Sequence, residues 1–68
     1  MNEEVFNIEL RKYLKTFGVT AQREVEKLVR SALDSGRLKG NEVLRARATL
    51  TIEGLAPSTV VDGEIALS

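Results

Sequence analysis

Residues 44–53 read LRARATLTIE, and this stretch decides the C-terminal half of the fold. Apolar side chains alternate along it with charged residues or threonine, which is typical of a strand with one buried face. Residues 60–67 alternate in the same way, and the segment from Gly54 to Ser58 between the two runs contains a proline. The sequence therefore predicts an antiparallel β-hairpin with a connecting loop at 54–58.

The apolar faces of the two predicted strands restrict the register, because a slip of one residue would turn one strand over. Setting Leu50 opposite Val61 leaves a four-residue loop. The same register places Arg47 opposite Glu64 on the outer face, where opposite charges stabilise a strand pair. It also places Thr49 opposite Asp62, and it is the register that we predict.

Upstream of the hairpin the spacing of apolar residues is helical. One helix is predicted from Glu3 to Phe17 and a second from Ala21 to Ser35. The connecting turn is Gly18-Val19-Thr20. Asn2 and Thr20 are predicted N-caps, and Gly18 and Gly36 are predicted to end the two helices.

The predicted fold class is α+β, in the order α-α-β-β, as a single domain of residues 1–68. Because the turn between the helices is so short, they are expected to be antiparallel neighbours, packed on one face of the hairpin. A chain of 68 residues without cysteine buries little surface, and both strands expose an unpaired edge. A homodimer is therefore expected.

Three apolar residues near the N-terminus fall outside the main apolar stripe of the first predicted helix: Met1, Val5 and Ile8. They recur with helical spacing on nearly the opposite side. One interpretation is a frayed terminus with a few exposed apolar residues. The other is a second buried face, against the sheet or another subunit, and it makes these three residues the candidate interface.

The composition argues against enzymatic chemistry. The chain contains neither histidine nor cysteine, so no serine can have an imidazole base and no thiolate is present. No catalytic, cofactor-binding or metal-binding residue is predicted, and no small-molecule substrate is evident. The N-terminus is acidic and no apolar run approaches the about 18 residues of a membrane span, so the protein is predicted to be cytoplasmic.

Charge is unevenly distributed although the formal net charge is zero. Residues 37–47 carry four cations against one Glu42; these form the candidate anion or nucleic-acid patch: Arg37, Lys39, Arg45 and Arg47. A helix-turn-helix followed by a hairpin would suit DNA binding, but a third helix and an aromatic stacking surface are missing. Cross-strand pairing within the chain is the simpler interpretation, and weak nucleic-acid binding is the alternative.

Several segments resemble a family of short bacterial proteins of unknown function: MNEEVFN at 1–7, GVT at 18–20, SGRLKGNE at 35–42, TLTIEGL at 49–55 and GEI at 63–65. The resemblance extends over essentially the whole chain. It implies a stand-alone domain found chiefly in proteobacteria. The matching segments are caps, turns and a strand, so the resemblance implies no activity and no ligand-binding residue.

Taken together, the residues favour a non-enzymatic protein-interaction or structural module that associates with itself. The exposed strand edges and the apolar residues outside the main stripe support this expectation. Binding of nucleic acid through residues 37–47 is the competing hypothesis.

Overall fold

A computed structural model describes all 68 residues and contains one helix and two strands. Helix α1 spans Glu3–Asp34, strand β1 spans Val43–Ile52 and strand β2 spans Leu55–Ala66. The chain divides into two units, Met1–Arg37 and Leu38–Ser68. The first unit holds α1 and the second holds the hairpin.

The predicted pair of helices is wrong, because α1 runs without a break through the segment expected to be a turn. Phe17 does not end a helix and Thr20 does not begin one. Gly18 has no positive φ, which a helix-ending residue in the left-handed conformation would require. A glycine inside a helix costs about 1 kcal/mol relative to alanine, and this is too little to break a helix that otherwise continues.

The ends of α1 agree with the predicted caps. The side chain of Asn2 accepts a hydrogen bond of 3.1 Å from the backbone N–H of Val5, so it satisfies one of the free donors of the first turn. At the other end Gly36 has φ +79°, and its N–H donates to the carbonyl of Leu33 at 3.2 Å. The N–H of Arg37 donates to Ala32 at 2.9 Å, which completes a Schellman motif.

The apolar stripes of the two predicted helices form one stripe on α1, because apolar residues recur every eleven positions through both segments. Phe6, Phe17 and Leu28 lie on one line along the helix. Three such lines make up the apolar side of α1: Leu10, Ala21 and Ala32 in the centre, Phe6, Phe17 and Leu28 on one flank, and Leu14 and Val25 on the other. A period of eleven corresponds to about 3.67 residues per turn, so the stripe runs nearly straight.

The hairpin is confirmed, but its predicted register and loop are wrong. Leu50 pairs with Thr59, whereas Val61 pairs with Ala48, so the observed register differs from the predicted one by two residues. A shift of two keeps the same side chains on each face, and the alternation alone therefore could not exclude it.

Strand β2 begins at Leu55, inside the predicted loop. Ile52 pairs with Leu55, so only Glu53 and Gly54 form the turn, and Gly54 takes φ +81°. The register changes between Leu50 and Ile52, where β2 has more residues than β1 and contains Pro57. A proline has no N–H to give to a strand partner, which suits an irregular position.

Neither unit buries a side chain. No residue of α1 is buried, and none of the hairpin is. Within its own unit, neither the apolar stripe of α1 nor the apolar face of the hairpin is covered.

We predict opposite effects for alanine at the two glycines of the helical unit. Gly18→Ala should raise the helix content and increase the free energy of unfolding by about 0.5–1 kcal/mol, because alanine is the better helix former. A Cβ at residue 18 would meet nothing within 4 Å. Gly36→Ala should lower the free energy of unfolding by about 1 kcal/mol, because φ is +79° there.

Circular dichroism and urea denaturation at one fixed protein concentration measure both effects. A loss of helix content in Gly18→Ala would contradict the continuous helix and would place a turn at residues 18–20.

Candidate interaction surfaces

The apolar stripe of α1 is the largest candidate surface. Most large side chains along it are exposed, with Leu28 at 71%, whereas Val25 and Val29 are half-buried. Tyr13 and Phe17 stack along the helix with ring centroids 6.4 Å apart, and they form an aromatic cluster in its N-terminal half. Exposed apolar residues in a continuous row mark an interaction surface more strongly than scattered ones.

The predicted interface residues Met1, Val5 and Ile8 are all exposed and lie on the side of the N-terminal region away from the stripe. Val19 lies eleven residues after Ile8 and extends the same side, and it is also exposed. Val19 falls within the predicted turn 18–20 and was therefore not among the predicted interface residues. The eleven-residue repeat was the signal that could have found it.

The hairpin has one apolar and one polar face, as its alternation predicts. Ala48 lies opposite Val61 and Leu44 opposite Ile65 on the apolar face. On the polar face, the hydroxyl oxygens of Thr51 and Ser58 lie 2.8 Å apart. The apolar face is thus a second surface without a cover inside its own unit.

The residues of the predicted basic patch are divided between the two units, with Lys39, Arg45 and Arg47 in the hairpin unit. Arg47 Nε donates to Asp62 Oδ1 at 2.8 Å, so its charge is paired across the strands with Asp62 and not with the predicted Glu64. Arg45 is the residue directly opposite Glu64.

Arg37 belongs to the helical unit, where its Nε donates to the Ser35 hydroxyl at 3.3 Å. The side-chain hydrogen bonds of Arg37 and Arg47 are therefore both made to other side chains of the protein.

The loop before β1 carries its own anion. The carboxylate of Glu42 accepts backbone N–H groups from Lys39 at 2.9 Å and from Gly40 at 3.0 Å. These hydrogen bonds favour the ionised form and lower the pKa of Glu42 below its ordinary value of 4.5. An external phosphate would have to displace this carboxylate to reach the same donors.

No group of three or more acidic, histidine or cysteine side chains comes together in a way that could hold a metal ion. A shallow groove on the hairpin is lined by residues 45–47 and 62–64, and the ion pair between Arg47 and Asp62 lies within it. Helix α1 is too polar to cross a membrane.

The model of a family of unknown function, DUF6494, matches residues 1–68. The chain belongs to this family. No curated protein and no solved structure matches the chain. The resemblance read from the sequence is thereby confirmed, and the proteobacterial distribution stays a prediction. DUF6494 has no assigned activity.

We predict that the loop of this DUF6494 chain responds to acid through Glu42. Its lowered pKa in the folded state means that the carboxylate stabilises the loop above the ordinary value of 4.5. That contribution should be lost as the pH falls through the lowered pKa. Amide NMR signals of Lys39 and Gly40 should shift with this same pKa.

The variant Glu42→Gln is the matched control, because it keeps the shape of the side chain but cannot ionise. Its two amide signals should stay constant across the same pH range. A midpoint at or above 4.5 in the unmodified chain would contradict the charge-assisted hydrogen bonds.

Proposed function

We propose that this protein is a non-enzymatic interaction module that associates with a second copy of itself. The observation that supports the proposal is the absence of any buried side chain beside 17 exposed large apolar residues. Hydrophobic burial is the dominant favourable contribution to folding, so each unit needs a cover for its apolar side. A second copy supplies the same surfaces at the same time.

The exposed apolar side chains are numerous enough for a dimer interface. Seventeen large apolar side chains are exposed over the two units, and the interfaces of obligate homodimers are the more hydrophobic class. Burial of such side chains against a second copy would stabilise both the fold and the complex.

The charges are compatible with association between identical chains. Ten cations and ten anions give a formal net charge of zero, so two copies do not repel each other strongly. The lack of histidine and cysteine supports a role without thiolate or imidazole chemistry.

Nucleic-acid binding through residues 37–47 receives less support from the geometry. Phosphate affinity depends on cations that can neutralise the backbone. Arg47 already contacts Asp62, and Arg45 faces Glu64 across the strands. The observations therefore favour a protein partner over a nucleic acid.

We predict that folding and association occur together. Light scattering should give a mass of at least twice 7.5 kDa at high concentration. On dilution, the mass and the helical signal in circular dichroism should fall together, because an isolated helix with an uncovered apolar side is marginal in water. A monomer that keeps a cooperative thermal transition at every concentration would contradict the proposal and would indicate a core formed within one chain.

A pair of lysine variants should identify which side of α1 is covered. Leu28 on the stripe is 71% exposed and Ile8 on the other side is 64% exposed. Replacing either residue should therefore have little effect on the stability of a single chain. Leu28→Lys should raise the dissociation constant by at least about 100-fold, because two buried leucines are lost per dimer. Lysine keeps a high helix propensity.

Ile8→Lys should have a smaller effect under the same conditions. Equal and large losses in both variants would show that both sides are covered, as the candidate interface Met1, Val5 and Ile8 requires. If neither variant changes the dissociation constant, α1 does not form the interface.

A further inference from the structure

We propose that the second copy packs antiparallel along the apolar stripe of α1, with the twofold axis close to Gly18. This inference rests on the proposed self-association and adds the surface, the orientation and the register. The stripe is straight over a helix of 32 residues, about 48 Å long. It is therefore long enough to pair along its whole length.

The orientation follows from a gradient in side-chain size along the stripe. Its N-terminal half carries bulky residues: Phe6, Leu10, Tyr13, Leu14 and Phe17. Its C-terminal half carries no aromatic residue and smaller side chains on average, with Leu28 and Leu33 the largest: Ala21, Val25, Leu28, Val29, Ala32 and Leu33. Interiors are close-packed, so the summed size of facing side chains sets the distance between two helices.

An antiparallel pair sets each bulky half against the smaller half of the other copy, and the helix axes stay at one distance over the full length. A parallel pair in register would set bulky halves together and small halves together. It would hold the axes apart at one end and leave them close, or separated by a void, at the other. Voids of this kind cost free energy, so packing selects the antiparallel pair.

The register follows if the centre-line residues of the two copies, Leu10, Ala21 and Ala32, alternate along the pair. With the axis at residue 18, Leu10 lies between Ala21 and Ala32 of the second copy along the helix direction. Neighbouring centre-line residues then follow one another every five or six positions, about 7.5–9 Å apart. Phe17 meets Phe17 of the second copy at the axis, and Phe6 lies within about 3 Å of the height of Leu28.

The charged side chains beside the stripe fit this register. Glu9 lies at the height of Lys27 of the second copy on the same flank, so their opposite charges come together. Lys27 contacts Glu24 of its own helix at 3.4 Å, and both are exposed enough to rearrange. A parallel pair could also match these charges, so the gradient in size, and not the charge pattern, decides the orientation.

Cross-linking between two single-cysteine variants tests the arrangement, because the chain has no cysteine of its own. Glu9→Cys and Lys27→Cys are mixed in equal amounts and treated with a short bifunctional maleimide. In the antiparallel dimer these two positions lie at the same height, whereas two copies of either one lie about 27 Å apart. Mass spectrometry should find cross-links that join a Glu9→Cys chain to a Lys27→Cys chain at least about ten times more often than cross-links between two chains of the same variant.

Lys12→Cys with Arg23→Cys is the matched control. These positions also come to similar heights about residue 18, but they lie on the side of α1 opposite the stripe. The control pair should give no links above those formed in denaturant. Links in the control pair would place the second copy on that opposite side and overturn the proposal.

The remaining outcomes separate this inference from the proposed function. If light scattering shows a dimer and the cross-links join two chains of the same cysteine variant, the antiparallel orientation is overturned. A dimer without links at either helix pair shows that association uses the hairpin, and it overturns the helix pairing while self-association stands. A monomer overturns both.

Discussion

The need to bury the apolar side of α1 is the constraint on which the rest of the structure depends. A helix of 32 residues with a continuous apolar stripe has no stable place in water unless that stripe is covered. Backbone hydrogen bonds and caps define the helix, but in proteins the packing of an amphipathic face supplies most of its stability. The fold of this chain is therefore tied to whatever packs on the stripe.

The polar groups place no comparable demand on a partner. The helix ends are closed by Asn2 and by the turn at Gly36, and the loop donors of Lys39 and Gly40 are satisfied by Glu42. The large exposed apolar side chains have no comparable arrangement of partners within either unit.

Local patterns in the sequence predicted the elements correctly where each pattern has one structural meaning. The alternation at 44–53 indicated a strand, Asn2 indicated a helix start and Gly36 a helix end, and all three are confirmed. The prediction that a helix ends at Gly18 was wrong, because a glycine can either end a helix or lie within one at a cost of about 1 kcal/mol. The hairpin register misled for a related reason, since Leu50 faces the same side whether it pairs with Val61 or with Thr59.

Apart from residues 18–20 and 55–58, the sequence by itself determined which segments are helical or extended, which side of each is apolar, and that histidine and cysteine are absent. These properties follow from residue type and spacing, which act over a few neighbouring positions. Only the tertiary structure decided that one helix replaces two, that the turn lies at Glu53 and Gly54, and that neither unit encloses a core. Each of these choices lies between arrangements with the same local pattern, and they differ only in the free energy of the whole chain.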